Sequence, residues 1–326
     1  MPLIQGCIGR TIACAFAMSF AAATLGADES ASKPIRFVVP LAAGSSIDAR
    51  ARVIAHALGV RLKQQVIVDN KPGAGGTIGA AYVAKAPPDG STLLFINDSV
   101  VINAHVYRDP GYDVLKDLAP ITQAYVAAMV LVAYPGAKTT SVKELIAQAR
   151  KEPEGLTYGS SGNGGLPHLA METFNRAAGI RLVHIPYKGD SQALADIMAG
   201  RVTVMVSGIP AALPQIRSGN LRALGVTTAQ RVRALADVPT IAEAGLSGYE
   251  MYAWTGFFAP ARTPPATIER LNRELTASLR GEEVKAHLEA TGGRIAPSSP
   301  AQFAEFVQSE WKRYGKLVSD LQLKID

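Results

Sequence analysis

Short β-type runs alternate with helical patterns along almost the whole chain, and this alternation restricts the fold more than any other feature of the sequence. The apolar run Ile35-Arg-Phe-Val-Val39 reads as a buried strand. Residues 40–46 form the loop that leads into a helix over 47–62, and 66–69 the next strand. The turn Pro72-Gly-Ala-Gly-Gly76 opens a helix through Ala84, and Pro87-Pro-Asp-Gly90 precedes a strand over 92–96. A second series starts at 131–133. Ser141 and Glu144 have capping-box spacing for a helix over 142–150. Strand 156–158, a polar glycine loop and helix 167–178, stopped by Gly179, follow. Strands over 182–185, 202–206 and 223–226 alternate with helices over 192–198 and 211–217. This order predicts an α/β architecture.

The C-terminal part begins with a return crossing, Trp254-Thr-Gly-Phe-Phe258, and ends in two amphipathic helices. Thr263-Pro264 is the expected cap of the first, with Ile268, Leu271, Leu275 and Leu279 as its apolar stripe. Ser299-Pro300 with Gln302 caps the second, whose stripe is Phe303, Val307, Trp311, Tyr314, Val318 and Leu321. Aromatics at helical spacing read as core rather than as a ligand cage.

The first residues hold one basic side chain, Arg10, then an alanine-rich apolar run to Ala27, and at once Asp28 and Glu29. That pattern predicts a cleaved secretory leader over 1–27 and a periplasmic mature protein. A membrane anchor needs a longer run, of about 20 apolar residues. Cys7 and Cys14, the chain's two cysteines, both fall in the leader. The mature chain therefore has no disulfide, thiol nucleophile or cysteine metal site.

About 300 residues remain, too many for one typical core, so two lobes are expected, over 34–128 plus 253–326 and over 129–252. With 48% hydrophobic and 18% charged residues the chain is a folded globular protein. The formal charge of +6 is spread along it, without lysine and arginine runs interleaved with aromatics, which excludes nucleic acid as the expected partner. No later segment is long and apolar enough to embed the mature protein in a bilayer, and it is expected to act as a monomer.

Three sets of loops follow strands and precede helices, where open α/β sheets bind ligands. The first contains Leu41, Ala43, Gly44, Ser45, Ser46 and Asp48: close-approach backbone, two hydroxyls and the free amides of a helix start. Ser45 or Ser46 also suits an N-cap, and Asp48 suits the helix dipole. The second, with Ser160, Ser161, Gly162, Asn163 and Gly164 ahead of Pro167, presents amides and hydroxyls that suit a carboxylate. The third set holds Tyr187, Lys188, Ser207 and Thr227, with Tyr187 placed to stack on a ligand or hydrogen-bond it. His168, one or two turns beyond Ser161, reads as a loop tether more than as a catalytic base.

Enzymatic patterns fail on the same residues. Gly159-Ser-Ser-Gly-Asn163 is not Gly-x-Ser-x-Gly, and a secreted hydrolase using Ser161 and His168 has no evident third member. In Gly73-Ala-Gly-Gly-Thr-Ile-Gly79 the last glycine comes one residue late for a dinucleotide fingerprint. His56, His105, His168, His184 and His287 lack metal-site spacing, so no metal and no cofactor are expected.

Ordered markers along nearly the whole mature chain resemble the Bug-type extracytoplasmic solute receptors of tripartite tricarboxylate transporters. They are Ile35-Arg-Phe-Val-Val-Pro40 with Gly44 and Asp48-Ala-Arg50, Val68-Asp-Asn-Lys-Pro-Gly-Ala-Gly-Gly76, and Ala84-Lys-Ala-Pro-Pro-Asp-Gly90. Tyr158-Gly-Ser-Ser-Gly-Asn-Gly164 with His168, His184-Ile-Pro-Tyr-Lys-Gly189, Val238-Pro-Thr240 with Glu243-Ala-Gly245, and Ala259-Pro260 with Thr263-Pro264 continue the series. The resemblance implies a Venus-flytrap fold, type II-like: two α/β lobes that close on a ligand in the cleft between them. It also implies a small carboxylate as ligand (a dicarboxylate, amino acid or aromatic acid) and a membrane permease as partner. Backbone amides, small hydroxyls and waters of the loops at 41–48 and 160–164 would hold the carboxylate. A signalling role on a membrane sensor is the alternative. Leu41 stands where the family often has an aromatic residue, Ser45 where it has a second glycine, and Ser207 where it has an acidic or amide side chain. Those departures suggest a larger or less polar ligand, such as an aromatic carboxylate.

Overall fold

The computed structural model describes residues 33–323, apart from Lys138 and Thr291. The leader expected over 1–27 lies outside the described residues. Two mixed sheets organise the chain. The first has the order β11-β4-β10-β3-β1-β2 and the second β7-β6-β8-β5-β9.

In chain order the first sheet begins with β1 (Ile35–Val39), α1 (Ser46–Leu62), β2 (Val66–Asn70), α2 (Thr77–Ala84), β3 (Thr92–Asn97), α3 (Ser99–Val106) and β4 (Leu118–Ala127). The chain then enters the second sheet: β5 (Met129–Ala133), α4 (Val142–Lys151), β6 (Thr157–Ser160), α5 (Leu166–Ala178), β7 (Val183–Pro186), α6 (Asp190–Met198), β8 (Val204–Gly208), α7 (Ile209–Arg217) and β9 (Arg222–Val226). It returns through β10 (Ala253–Pro260), followed by α8 (Pro265–Leu279), α9 (Glu282–Ala290), β11 (Gly293–Ile295) and α10 (Pro300–Asp320).

Strand direction positions the functional edge. β1 pairs in parallel with β2 and β3, and β10 runs antiparallel to both β3 and β4, so β1 to β4 all point one way. Their carboxyl ends meet where β4 ends, at Ala127. In the second sheet β6, β7 and β8 are parallel, and Met129, the first residue of β5, pairs with Gly208, the last of β8. Ala128 alone separates β4 from β5. The carboxyl ends of both sheets therefore adjoin at Ala128, in two α/β lobes.

Burial explains why the strands read as they do. Phe37, Val38 and Val39 are fully buried because helices cover both faces of β1. One apolar cluster lies under α1, α8 and α9 and includes Ile54, Leu58, Leu275 and Phe257. Another runs without a break from Leu94 and Phe303 of the first lobe to Met129, Tyr158 and Phe174 of the second. The Tyr249 hydroxyl donates to the Ala170 carbonyl within it, at 3.0 Å.

Local signals agree with expectation at one helix start and differ elsewhere. Ser299 and Gln302 form the full reciprocal box. At α4 only half forms: Ser141 Oγ accepts from the Glu144 N–H, but the Glu144 carboxylate turns to the N–H and hydroxyl of Thr140. Thr263 does not cap α8. Pro264 occupies the N-cap position, one residue too late for Thr263 to reach the first turn, and Thr263 Oγ1 is buried without a partner. Strands β4 and β11 and helices α3 and α9 lie where no element was expected.

Candidate functional site

The first loop is built around a buried carboxylate. Asp48 is 2% exposed; its Oδ2 accepts from the Gly44 N–H at 2.8 Å and Arg52 Nε at 2.9 Å, and its Oδ1 from Asn70 Nδ2 at 3.0 Å. Burial alone would raise this acid, but those donors hold it below its ordinary value. Asn70 also donates to the Leu41 carbonyl, and Ser45 is the N-cap of α1, accepting from the Asp48 N–H. Gly44 has φ +80° with open space where a Cβ would stand, so conformation and not crowding calls for glycine. Ala43, Gly44 and Ser46 are exposed, while Leu41 and Ser45 are half-buried. The first-turn amides of α1 at Ser46 and Ile47 have no intrahelical acceptor.

The second loop rests on stacked rings. The ring centroids of His168 and His184 are 4.0 Å apart and those of Tyr158 and His184 4.8 Å apart, each pair stacked. Burial pushes both histidines down to about 4, and at His184 the His168 ring adds to the fall, so both are neutral near pH 7. His168 Nδ1 accepts from the Gly164 N–H at 3.0 Å, and His184 Nε2 lies 2.7 Å from Ser160 Oγ. Ser160 Oγ also accepts from the Gly162 N–H, and the Tyr158 hydroxyl donates to Glu172. Ser160 is wholly buried. The serine–histidine pair that forms is thus Ser160 with His184, not Ser161 with His168, and it shapes a turn. Ser161 and Gly162 are half-buried and Asn163 exposed at the N-terminus of α5.

The third set divides. Tyr187 donates its hydroxyl to Asp196 at 2.7 Å, and Ser207 is fully buried at the end of β8. Lys188 is exposed. Asp48, Ser160, His168 and Tyr187 therefore spend their polar groups on holding the loops, whereas Gly44, Ser46, Ser161 and Asn163 present surface.

Two charged residues at this edge were not among the site residues expected from the sequence, although Arg50 stands in one of the family markers. Arg50, on the first turns of α1, is 8% exposed, has no acidic partner among the described residues, and lies with Cζ 4.3 Å above the Tyr125 ring. Its Nε is buried without a hydrogen bond. Asp190, first residue of α6, has a buried Oδ1 without a partner, while the Ser161 hydroxyl and the Gly208 N–H lie toward its carboxylate. Burial raises its pKa, and those two donors oppose the shift. In sequence, each is one more charge at a helix start.

A cavity of about 1260 Å³ lies beside the crossing, lined by Ala128, Arg217, Arg231, Tyr252, Lys285 and Arg294 among others, and touches neither loop. No helix of the described residues is long and apolar enough to cross a membrane.

Residues 50–323 match the Tripartite tricarboxylate transporter family receptor, TctC. A protein from the tcbD-tcbE intergenic region of Pseudomonas sp. (strain P51) is 37% identical over 297 residues, 91% of this chain and 88% of that one. Among solved structures, R. palustris Rpa4515 with adipate is 34% identical with a TM-score of 0.79, covering 90% of this chain and 99% of that one. The periplasmic binding protein BugD is 30% identical with a TM-score of 0.76, over 90% and 99% of the two chains. The family consists of solute-binding receptors, not enzymes. Fold and sequence agree: the chain belongs to the TctC family of periplasmic solute-binding receptors.

Proposed function

We propose that the mature chain captures a small carboxylate in the cleft between the loops at 41–46 and 159–165 and hands it to the membrane permease of a tripartite tricarboxylate transporter. The observation that carries this reading is that α1 and α5 both start at the carboxyl ends of their sheets, which adjoin at Ala128. Each start offers amides without intrahelical acceptors, and burying a carboxylate costs several kcal/mol unless such donors compensate it. The adipate held by the R. palustris relative is a carboxylate of this kind.

On this reading Ala43, Gly44, Ser45, Ser46, Ser161, Gly162, Asn163 and Gly164 face the ligand, with Leu41 and Ser207 shaping its surroundings. Asp48, Ser160, His168 and Tyr187 hold those groups in place. The lobes are 34–128 plus 253–326 and 129–252, and their closure excludes water and strengthens the contacts. Secretion through the cleaved leader brings the receptor to the periplasm.

A thermal-shift screen of the leader-free chain over a carboxylate library tests the reading, because a ligand bound only by the folded state raises Tm with its concentration. At least one carboxylate is expected to do so. A library in which only uncharged sugars or amines shift Tm contradicts the proposal.

A further inference from the structure

Arg50 is a cation buried near the crossing between the sheets, with no anion among the described residues as its partner. Its place follows from topology: α1 starts at the carboxyl end of β1, and Tyr125, under the guanidinium, lies two residues before the end of β4, where the chain crosses to the second lobe. Taking an unpaired guanidinium out of water is costly, and the Tyr125 ring offsets only part of that cost. On the opposite wall Asp190 already stands against the Ser161 hydroxyl and the α7 N-terminus, the groups that would otherwise receive a second carboxylate. Its Oδ1 is nonetheless buried with no donor.

The two residues flank the crossing. Tyr125, beneath Arg50, lies just before Ala128 on β4, and Met129, just after it, pairs with Gly208, whose N–H faces Asp190. Arg50 thus offers an unfilled anion site on one side of the crossing and Asp190 an unfilled donor site on the other.

Resting on the receptor reading above, we propose that the ligand carries one carboxylate, received by Arg50, and at its other end a hydrogen-bond donor, best an ammonium group, received by Asp190. The receptor then discriminates against dicarboxylates. A second carboxylate would meet Asp190 as a like charge and find the Ser161 and Gly208 donors occupied.

Titration calorimetry of the leader-free chain tests this with two series matched in carbon count: adipate and its homologues against 6-aminohexanoate and its homologues. The tightest amino carboxylate is expected to bind at least about tenfold better than the tightest dicarboxylate. Asp190→Asn is expected to cut that ratio by about tenfold or invert it. Arg50→Met is expected to weaken the tightest amino carboxylate by about a hundredfold while the ligand-free Tm holds or rises, since a buried unpaired charge is replaced by an apolar chain. A dicarboxylate that binds as well as any amino carboxylate, an unchanged ratio in Asp190→Asn, or a fall in ligand-free Tm in Arg50→Met overturns the inference. Binding of some other carboxylate but of neither series overturns it and leaves the receptor reading standing. Binding of no carboxylate at all removes both.

Discussion

His168 and His184 lie face to face, ring centroids 4.0 Å apart and planes within 9° of each other, and between them they hold both ends of the 160–164 turn. One ring takes the Gly164 N–H and the other meets the Ser160 hydroxyl. The 160–164 loop is therefore a turn whose shape depends on two neutral imidazoles.

That dependence sets a pH window. Folding lowers both rings from an ordinary 6.5 to about 4, so between those values the unfolded chain binds more protons than the folded one. Their contribution to stability is fully present above pH 6.5 and is lost as pH falls toward 4. The slope these two rings impose approaches ~2.7 kcal/mol per pH unit where both are protonated only on unfolding. Urea melts across this range are expected to show stability falling with acid, less steeply in His184→Gln. Equal slopes in the two proteins would contradict the account.

Removing one of the tethers should show in both stability and binding. His168→Leu keeps an apolar side chain but leaves the buried Gly164 N–H without its acceptor, at a cost of about 1–3 kcal/mol. The loosened turn is expected to weaken ligand binding by about tenfold, read by calorimetry on the folded protein.

Asp98 behaves in the opposite sense. It is wholly buried at the start of α3, accepts weakly from the Trp254 N–H at 3.4 Å, and burial pushes it up to about 7, with Glu310 adding to the rise. Because its folded value exceeds its unfolded one, it costs stability as pH rises from about 4 to 7. Asp98→Asn is expected to stabilise the protein at pH 8 by on the order of 2 kcal/mol, with little change at pH 4. A destabilised variant at pH 8 would show that the charge is structurally needed.

The first loop has its own keystone. Asp48→Ala releases the Gly44 N–H, Asn70 and Arg52 together and leaves buried donors unpaired, so a loss of about 3 kcal/mol in denaturant melts is expected. Ligand affinity should fall with it, since Gly44 and Leu41 lose their anchors.

The alternation of strands and helices, the capped C-terminal helix at Ser299 and the buried stripes of α8 and α10 were legible because each is a local pattern. Strand β4 was not. Pro120 breaks its run, and a register shift in its pairing with β10 at Phe257/Phe258 accommodates the interruption. Helix α3 begins without a side-chain cap. At the site, the sequence placed the loops but not the division of labour within them. Asp48 and Ser160 were placed in the loops, but their bonds to Gly44 and His184 are set by tertiary packing, and only His168, bonded to Gly164, was read as a tether. Arg50 and Asp190 were invisible because an unpaired buried charge is a property of tertiary packing, while a charge at a helix start is ordinary in sequence.

Amide hydrogen exchange with and without a carboxylate from the thermal-shift screen tests the central claim most directly. The account predicts that residues 41–48 and 159–165, in separate sheets, gain protection together at one ligand per chain. Protection confined to one loop, or appearing instead around 228–234 and 282–294 at the separate cavity, would contradict it.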